Sequence, residues 1–217
     1  MELLADTDVR VLGSLIEKEL TTPDNYPLSL NALVNACNQS SNRDPVVQYD
    51  EATVKAAVDR LRRYSLVRSM QRSGERVMKY MHLFGEAMEI DRAQLAVLGV
   101  LMLRGPRTLG EIRTQASRMY EFQSLEDAEA TLDGLATRSP EPLVAKLSRQ
   151  PGQKEARYAQ LLSGEPAAAS APEQDAETSE VSRKTDRLSE LERAVDALRG
   201  EVSELRSEIA ELKRVFE

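Results

Sequence analysis

The chain has 217 residues, of which 41% are hydrophobic and 30% are charged, so it can bury a core and has the length of one or two domains. Its longest nonpolar run, over 95–103, falls short of the roughly 20 residues of a membrane span. The first residues lack the basic start and apolar stretch of a signal peptide. We therefore expect a cytoplasmic protein with no membrane segment.

The chain contains one cysteine, Cys37, and one histidine, His82. This excludes an internal disulfide framework and argues against the common metal sites and acid–base catalytic sets. We expect Cys37 to be a packed thiol and His82 to have a surface or packing role. No phosphate-binding glycine loop or catalytic motif is present. The prediction is a protein that is not an enzyme and has no metal and no cofactor.

The net charge of −7 is unevenly distributed along the chain. Residues 163–217 contribute −6, whereas the stretch 55–79 carries +6. Attraction of a phosphate partner depends on the local field more than on the total charge. An acidic chain can therefore present one basic face.

Apolar periodicity predicts three helices followed by a hairpin in the first part of the chain. The first helix is expected to begin near Asp6 or Asp8, either of which suits the N-cap position. The elements that follow are a loop over 21–27, a second helix, a polar loop over 38–45, a third helix after Asp50, and strands over 66–71 and 77–81.

Spacing of three and four residues places one apolar face of each helix in the core. The predicted inward residues are Val9, Leu12, Ile16, Leu20, Leu30, Leu33, Cys37, Val54, Val58 and Leu61.

The sequence of the first part, with its three predicted helices and a hairpin, recurs once later in the chain. Val11–Leu15 matches Val97–Leu101, and four further matches follow in the same order. The second copy has predicted helices near 91–103, 108–119 and 125–137, and strands near 143–148 and 156–161. Three helices and a hairpin are the order of a winged helix. We predict a mainly α fold with small β-hairpins (α+β), with tandem winged-helix domains over 1–86 and 87–162.

The composition changes after residue 162. Residues 163–182 are rich in Ala, Pro, Ser and Glu and are predicted to form a flexible linker. Residues 183–217 carry an unbroken heptad repeat with mostly β-branched a positions and Leu at d, which favours a parallel two-stranded coiled coil and hence a homodimer. The alternative is an amphipathic helix that folds back on the globular part. The predicted dimerisation residues are Leu188, Leu191, Val195, Leu198, Val202, Leu205, Ile209 and Leu212.

The third helix of a helix-turn-helix domain usually enters the major groove of DNA, and arginine can hold phosphates or guanine edges. Basic residues recur on the outer face of this helix in the first copy and on the wing, although Asp59 weakens the pattern. The alternative is that these side chains only solvate the surface. The predicted DNA-binding residues are Lys55, Arg60, Arg62, Arg63, Arg72, Arg76 and Lys79.

The third helix of the second copy has the opposite charge. It carries Glu126, Asp127, Glu129 and Asp133 against Arg138 alone, so it would repel phosphate. This favours a rival hypothesis, a protein–protein adaptor that binds a partner through the second domain and the coiled coil. A metabolite-sensing regulator is a third hypothesis, which requires a pocket.

Several motifs resemble a known family. They are the run Leu20–Asn31, followed by Ala36–Gln39, Ser41–Val46 and Leu61–Tyr64. Together they resemble the YceH-like family of bacterial proteins over residues 1–162, and the C-terminal tail is a looser match. The resemblance implies a tandem pair of winged helices in the bacterial cytoplasm. It implies no activity, and it carries over no catalytic or binding residues.

Overall fold

A computed structural model describes residues 2–71, 77–149 and 153–165, all within one compact unit that spans residues 1–167. Arg72, Arg76 and all of the predicted coiled-coil positions lie outside the described residues. The boundary between the predicted domains at 86/87 remains a prediction.

The first half is mostly helical and ends in a small sheet. A single 3₁₀ turn, Pro23–Asn25, follows its first helix. Strand β3 pairs with both β1 and β2 in antiparallel register, with Val67 opposite His82. The elements are α1 (Asp6–Thr21), β1 (Leu28–Ser29), α2 (Leu30–Cys37), α3 (Glu51–Arg63), β2 (Val67–Met70) and β3 (Lys79–His82).

The second half repeats this order after one short helix, α4 (Phe84–Ala87). Its sheet has the equivalent strand order, β4-β6-β5. The mostly helical α+β prediction and both hairpins are confirmed, whereas α4 and the two-residue strands β1 and β4 were not predicted. The elements are α5 (Arg92–Arg104), β4 (Arg107–Thr108), α6 (Leu109–Ala116), α7 (Leu125–Ala136), β5 (Val144–Lys146) and β6 (Arg157–Gln160).

Helix α1 begins at Asp6, as expected, but its N-cap residue differs from the prediction. Its N-cap is Ala5, so the assignment of that position to Asp6 or Asp8 is wrong. The backbone N–H of Ala5 donates to Oδ2 of Asp8 at 3.3 Å, which is half of a capping box. For α3 the expected start is confirmed, because Asp50 accepts a hydrogen bond from the N–H of Thr53 at 2.7 Å. Leu30, predicted to be buried, is only half-buried at the first position of α2.

The core is continuous and centres on the packing of α1 against α5. Residues 95–103 of α5 are all buried, which explains the long apolar run: a helix covered on all sides is hydrophobic on all sides. The rest of the predicted core is confirmed, and Cys37 is a buried thiol whose pKa is raised by burial.

Two glycines at equivalent repeat positions allow α1 and α5 to approach closely. A Cβ at Gly13 would lie 2.9 Å from Cβ of Met102, and a Cβ at Gly99 would lie 3.4 Å from Cγ2 of Ile16. Since Gly13 corresponds to Gly99 and Ile16 to Met102 in the repeat, the contacts are reciprocal. This is the pattern of an isologous interface, formed here within one chain.

The polar loop over 38–45 is anchored by Arg43, whose side chain is fully buried. Its Nη2 and Nη1 donate to the two carboxylate oxygens of Glu17 at 2.6 and 3.1 Å. Its Nε and Nη2 donate to the carbonyl oxygen of Ala36 at 3.0 and 2.7 Å. The guanidinium therefore joins α1, α2 and the loop.

The same loop also binds the second half of the protein. The N–H of Asp44 donates to the carbonyl oxygen of Leu103 at 2.9 Å, and its carboxylate pairs with Arg107 at 2.7 Å. Arg104 donates to the side-chain oxygen of Asn42. The loop therefore adds polar bonds to the helix contact between the halves.

We predict that Gly13→Ala lowers the free energy of unfolding by about 1–2 kcal/mol, because overpacking outweighs the gain in helix propensity. Gly99→Ala is the matched control. Its added methyl group would meet only side-chain atoms, at 3.4 Å or more, so its stability should be unchanged or rise by up to about 1 kcal/mol. Urea unfolding followed by circular dichroism measures both, and equal losses would contradict the close approach at Gly13.

We predict that Arg43→Met lowers the free energy of unfolding by about 3–5 kcal/mol, because it leaves the Glu17 carboxylate without its buried partner. Adding Glu17→Leu should recover much of this loss. Lys55→Met, which breaks an exposed pair, should cost at most about 1 kcal/mol. The prediction fails if Arg43→Met and Lys55→Met have similar urea midpoints and slopes.

Candidate nucleic-acid interface

Helix α3 presents two distinct faces. Val54, Ala57, Val58 and Leu61 are buried, so the helix is fixed by its apolar side. Small side chains occupy two exposed positions on the outer side, Ala52 and Ala56. A helix face with small residues permits another surface to approach its backbone closely.

Arg60, predicted to contact DNA, has an intramolecular partner. Its Nε donates to Oδ1 and Oδ2 of Asp8 at 2.9 and 3.1 Å, and its Nη2 donates to Oγ1 of Thr7 at 2.9 Å. The Asp8 side chain is only 2% exposed, and its hydrogen bond raises the pKa of Arg60. This pair fixes α3 to the start of α1.

Lys55 and Arg62 share one carboxylate on the surface of α3. The Lys55 Nζ lies 2.6 Å from Oδ2 of Asp59, and Nη1 of Arg62 lies 3.4 Å from its Oδ1. The hydrogen bond from Lys55 is the largest cause of the lowered pKa of Asp59. All three groups are well exposed, so these pairs are weak, and the trio carries a net charge of +1.

Two exposed arginines complete the described part of this surface. Within the described ranges, no carboxylate lies within ion-pair distance of Arg63 or Arg68. Nη2 of Arg68 does donate to Sδ of Met81 at 3.4 Å. Lys79, also predicted as a DNA contact, lies half-buried at the start of β3, and the predicted wing residues Arg72 and Arg76 lie outside the described residues.

Arg68 was missing from the predicted DNA-binding residues. Side chains alternate along a strand, and Val67 is buried while Arg68 is exposed. Alternation from the buried Val67 was therefore a signal that could have identified it. We use the term basic face for the exposed side chains on α3 and β2, namely Lys55, Arg62, Arg63 and Arg68.

Helix α7 occupies the equivalent position in the second half and is acidic. Glu126 and Asp133 are exposed, as is Ala130, which corresponds to Ala56 in the repeat. Glu129 faces Lys146 on β5 at 3.7 Å. The helix itself contains no lysine or arginine, so the two equivalent helices have opposite charge.

Comparison with known proteins assigns the chain to a family. The family model described as "Protein of unknown function, DUF480" matches residues 4–153. The chain belongs to the DUF480 family. A UPF0502 protein from Citrifermentans bemidjiense is 57% identical over 169 residues, which cover 76% of this chain and 77% of the relative.

Two further relatives carry the same name. One, from Opitutus terrae, is 52% identical over 171 residues, which cover 79% of this chain and 74% of the relative. Another, from Pectobacterium carotovorum, is 40% identical over 200 residues, which cover 90% and 94%. The resemblance to a bacterial family without an assigned activity is confirmed by DUF480 membership. Among the described residues of this DUF480 member, no helix has the length and apolar character of a membrane span.

We predict that Arg60→Ala lowers the free energy of unfolding by about 1–3 kcal/mol, because it leaves the buried Asp8 carboxylate without its charged donor. Arg63→Ala, a matched change three residues further on the same helix, should change it by no more than about 0.5 kcal/mol. Thermal and urea unfolding compare the two variants. If Arg63→Ala lowered the free energy of unfolding as much as Arg60→Ala does, this would contradict the structural role of Arg60 and the surface role of Arg63.

Proposed function

We propose that this protein binds double-stranded DNA through the basic face of its first half, and that each half is a winged helix. The observation that carries the proposal is the exposure of Arg62, Arg63 and Arg68 on two adjacent elements, α3 and β2. In the proposed winged helix, α3 would be the third helix, which enters the groove, and β2 would belong to the hairpin, which would touch the sugar–phosphate backbone.

The order of elements supports the winged-helix assignment. In each half a helix and a two-residue strand precede two helices, and a hairpin closes a three-stranded sheet. The exposed Ala52 and Ala56 leave room for α3 to approach a groove. Arginine side chains beside them can form forked hydrogen bonds to phosphates or to guanine edges.

The Asp8–Arg60 pair reduces the set of residues that we propose to contact DNA. Because Arg60 is held by a buried carboxylate, it orients α3 instead of contacting phosphate. The proposed contacts to DNA phosphates are therefore made by Lys55, Arg62, Arg63 and Arg68, together with the predicted wing residues. Each phosphate contact on duplex DNA adds about 0.9 to the slope of log affinity against log salt, so binding should weaken steeply as salt rises.

The predicted coiled coil over 183–217 would join two such units. With a linker of about 20 residues, each unit has a reach of roughly 25 Å. Such a tether raises avidity without fixing half-site spacing. We therefore propose an architectural or broadly specific role in transcription or nucleoid organisation in the bacterial cytoplasm.

The second candidate function is a protein–protein adaptor. It is favoured by the exposed acidic face of α7, beside which Leu125 is 42% exposed. An apolar side chain with surrounding charges suits a basic protein partner better than a phosphate backbone. Docking through an apolar surface need not weaken with salt, whereas DNA binding must.

We predict that the full-length protein binds a mixed-sequence duplex in fluorescence anisotropy at low salt and loses affinity steeply toward physiological salt. Arg63→Glu combined with Arg68→Glu should weaken binding by at least about tenfold, since two phosphate contacts become repulsive. The matched control is Arg92→Glu combined with Arg113→Glu, two exposed positions in the second half with the same change in charge.

The comparison of the two double variants either supports or overturns the DNA proposal. Loss of binding in the first pair but not in the control supports the basic face. An absence of binding at low salt and micromolar protein, or an equal loss in both pairs, would overturn the DNA proposal and leave the adaptor as the function to test.

A further inference from the structure

The outer face of the first sheet combines apolar and basic side chains. In β3, Tyr80 and His82 are buried, whereas Lys79 and Met81 are half-buried and alternate with them along the strand. Met81 lies opposite Arg68 of β2 in the register of the sheet. Nη2 of Arg68 donates to Sδ of Met81 at 3.4 Å, so a cation and a thioether share this outer face.

Two exposed apolar side chains directly precede β3. Val77 is 55% exposed and Met78 is 41% exposed. Single exposed apolar residues are ordinary on a protein surface, whereas contiguous apolar surface among polar residues marks an interaction site. Of the large hydrophobic side chains that are exposed within the described ranges, only these two are neighbours in sequence. The full set is Leu3, Val46, Val77, Met78 and Leu125.

The strands beside this pair carry positive charge and no negative charge. Arg68 and Lys79 lie in β2 and β3, which contain no aspartate or glutamate. An apolar protein surface that covered the pair would also bury cationic groups without a partner, which is costly. A DNA base step presents apolar base faces between two phosphate backbones, so it suits both the apolar pair and the cations.

We propose that Val77 and Met78 form an apolar wedge that enters the minor groove and separates two stacked base pairs, so that the protein kinks the duplex it binds. This inference rests on the proposed DNA binding by the basic face, of which Arg68 is the member nearest in the sheet. Other proteins that bind the minor groove unstack base steps with methionine and similar apolar side chains. Pyrimidine–purine steps such as TA kink most easily, so they are the preferred place of insertion.

The test uses the full-length protein and a short duplex in which a central TA step is the only pyrimidine–purine step. Dyes at the two ends report bending by resonance energy transfer, and 2-aminopurine in place of the adenine of that step reports unstacking. Anisotropy of the same duplex measures binding in parallel. With saturating protein at low salt, we expect the energy transfer to rise and the 2-aminopurine fluorescence to increase by about twofold or more, because its stacked neighbours no longer quench it.

A second duplex separates the cost of unstacking from the contacts. It carries a one-nucleotide gap at the central step, where stacking is already interrupted. We expect the protein to bind this duplex about tenfold or more tightly than the intact one, since the free energy of unstacking is no longer required.

Two double variants with matched exposure assign the wedge. Val77→Ser combined with Met78→Ser should abolish both fluorescence changes and reduce the preference for the gapped duplex to less than about twofold, while salt-sensitive binding persists through the basic face. Val46→Ser combined with Leu125→Ser changes side chains that are 54% and 42% exposed and should kink DNA as the unchanged protein does. Thermal unfolding checks that both variants remain folded.

Loss of the kink in the first variant but not in the control supports the wedge. Binding without a rise in 2-aminopurine fluorescence, or a kink that survives Val77→Ser with Met78→Ser, would overturn the wedge and leave the proposed DNA binding intact. An absence of binding to either duplex at low salt would overturn both proposals.

Discussion

The buried ion pair between Arg43 and Glu17 is the interaction on which the arrangement of the described chain depends. A loop of polar residues cannot lie against a core unless its charges are paired and its backbone groups are bonded. Arg43 satisfies Glu17 and the carbonyl of Ala36 together, and Arg10 reinforces it by donating to the carbonyl of Cys37 at 3.2 Å. With the loop fixed in this way, its next residues reach α5 and β4.

The two halves therefore meet through complementary kinds of contact. The apolar contact is the reciprocal packing of α1 and α5 at Gly13 and Gly99. The polar contact is the loop over 38–45, which reaches α5 and β4 through Asn42 and Asp44. This arrangement buries the first helix of each half and leaves the third helices, α3 and α7, with exposed outer faces. The positions that differ most in charge are thus the ones available to partners.

Periodicity was enough to predict the longer helices and the two hairpins, because each of these elements repeats its apolar residues at a local spacing. It missed the four-residue helix α4 and the two-residue strands β1 and β4, since so few residues do not show a period. Periodicity also cannot reveal partners that lie far apart in sequence. On a helical wheel Arg60 appears as an exposed cation. No local pattern shows that Asp8, 52 residues earlier, is buried beside it. The motif around Arg43 was identified from the sequence as part of a family resemblance. Only the structure shows that Arg43 pairs with Glu17 and anchors the loop.

The opposite charges of α3 and α7 have a consequence for the molecule as a whole. Because α3 is basic and α7 is acidic, the described part of the chain separates positive from negative surface charge, as a dipole does. A polyanion exerts a torque on such a dipole before any contact forms, and it turns the basic end toward itself. The reversed encounter is repelled at the acidic end. In the proposed complex with DNA, two halves with the same order of elements but opposite charge on these helices would favour one direction of approach, which two halves of equal charge would not.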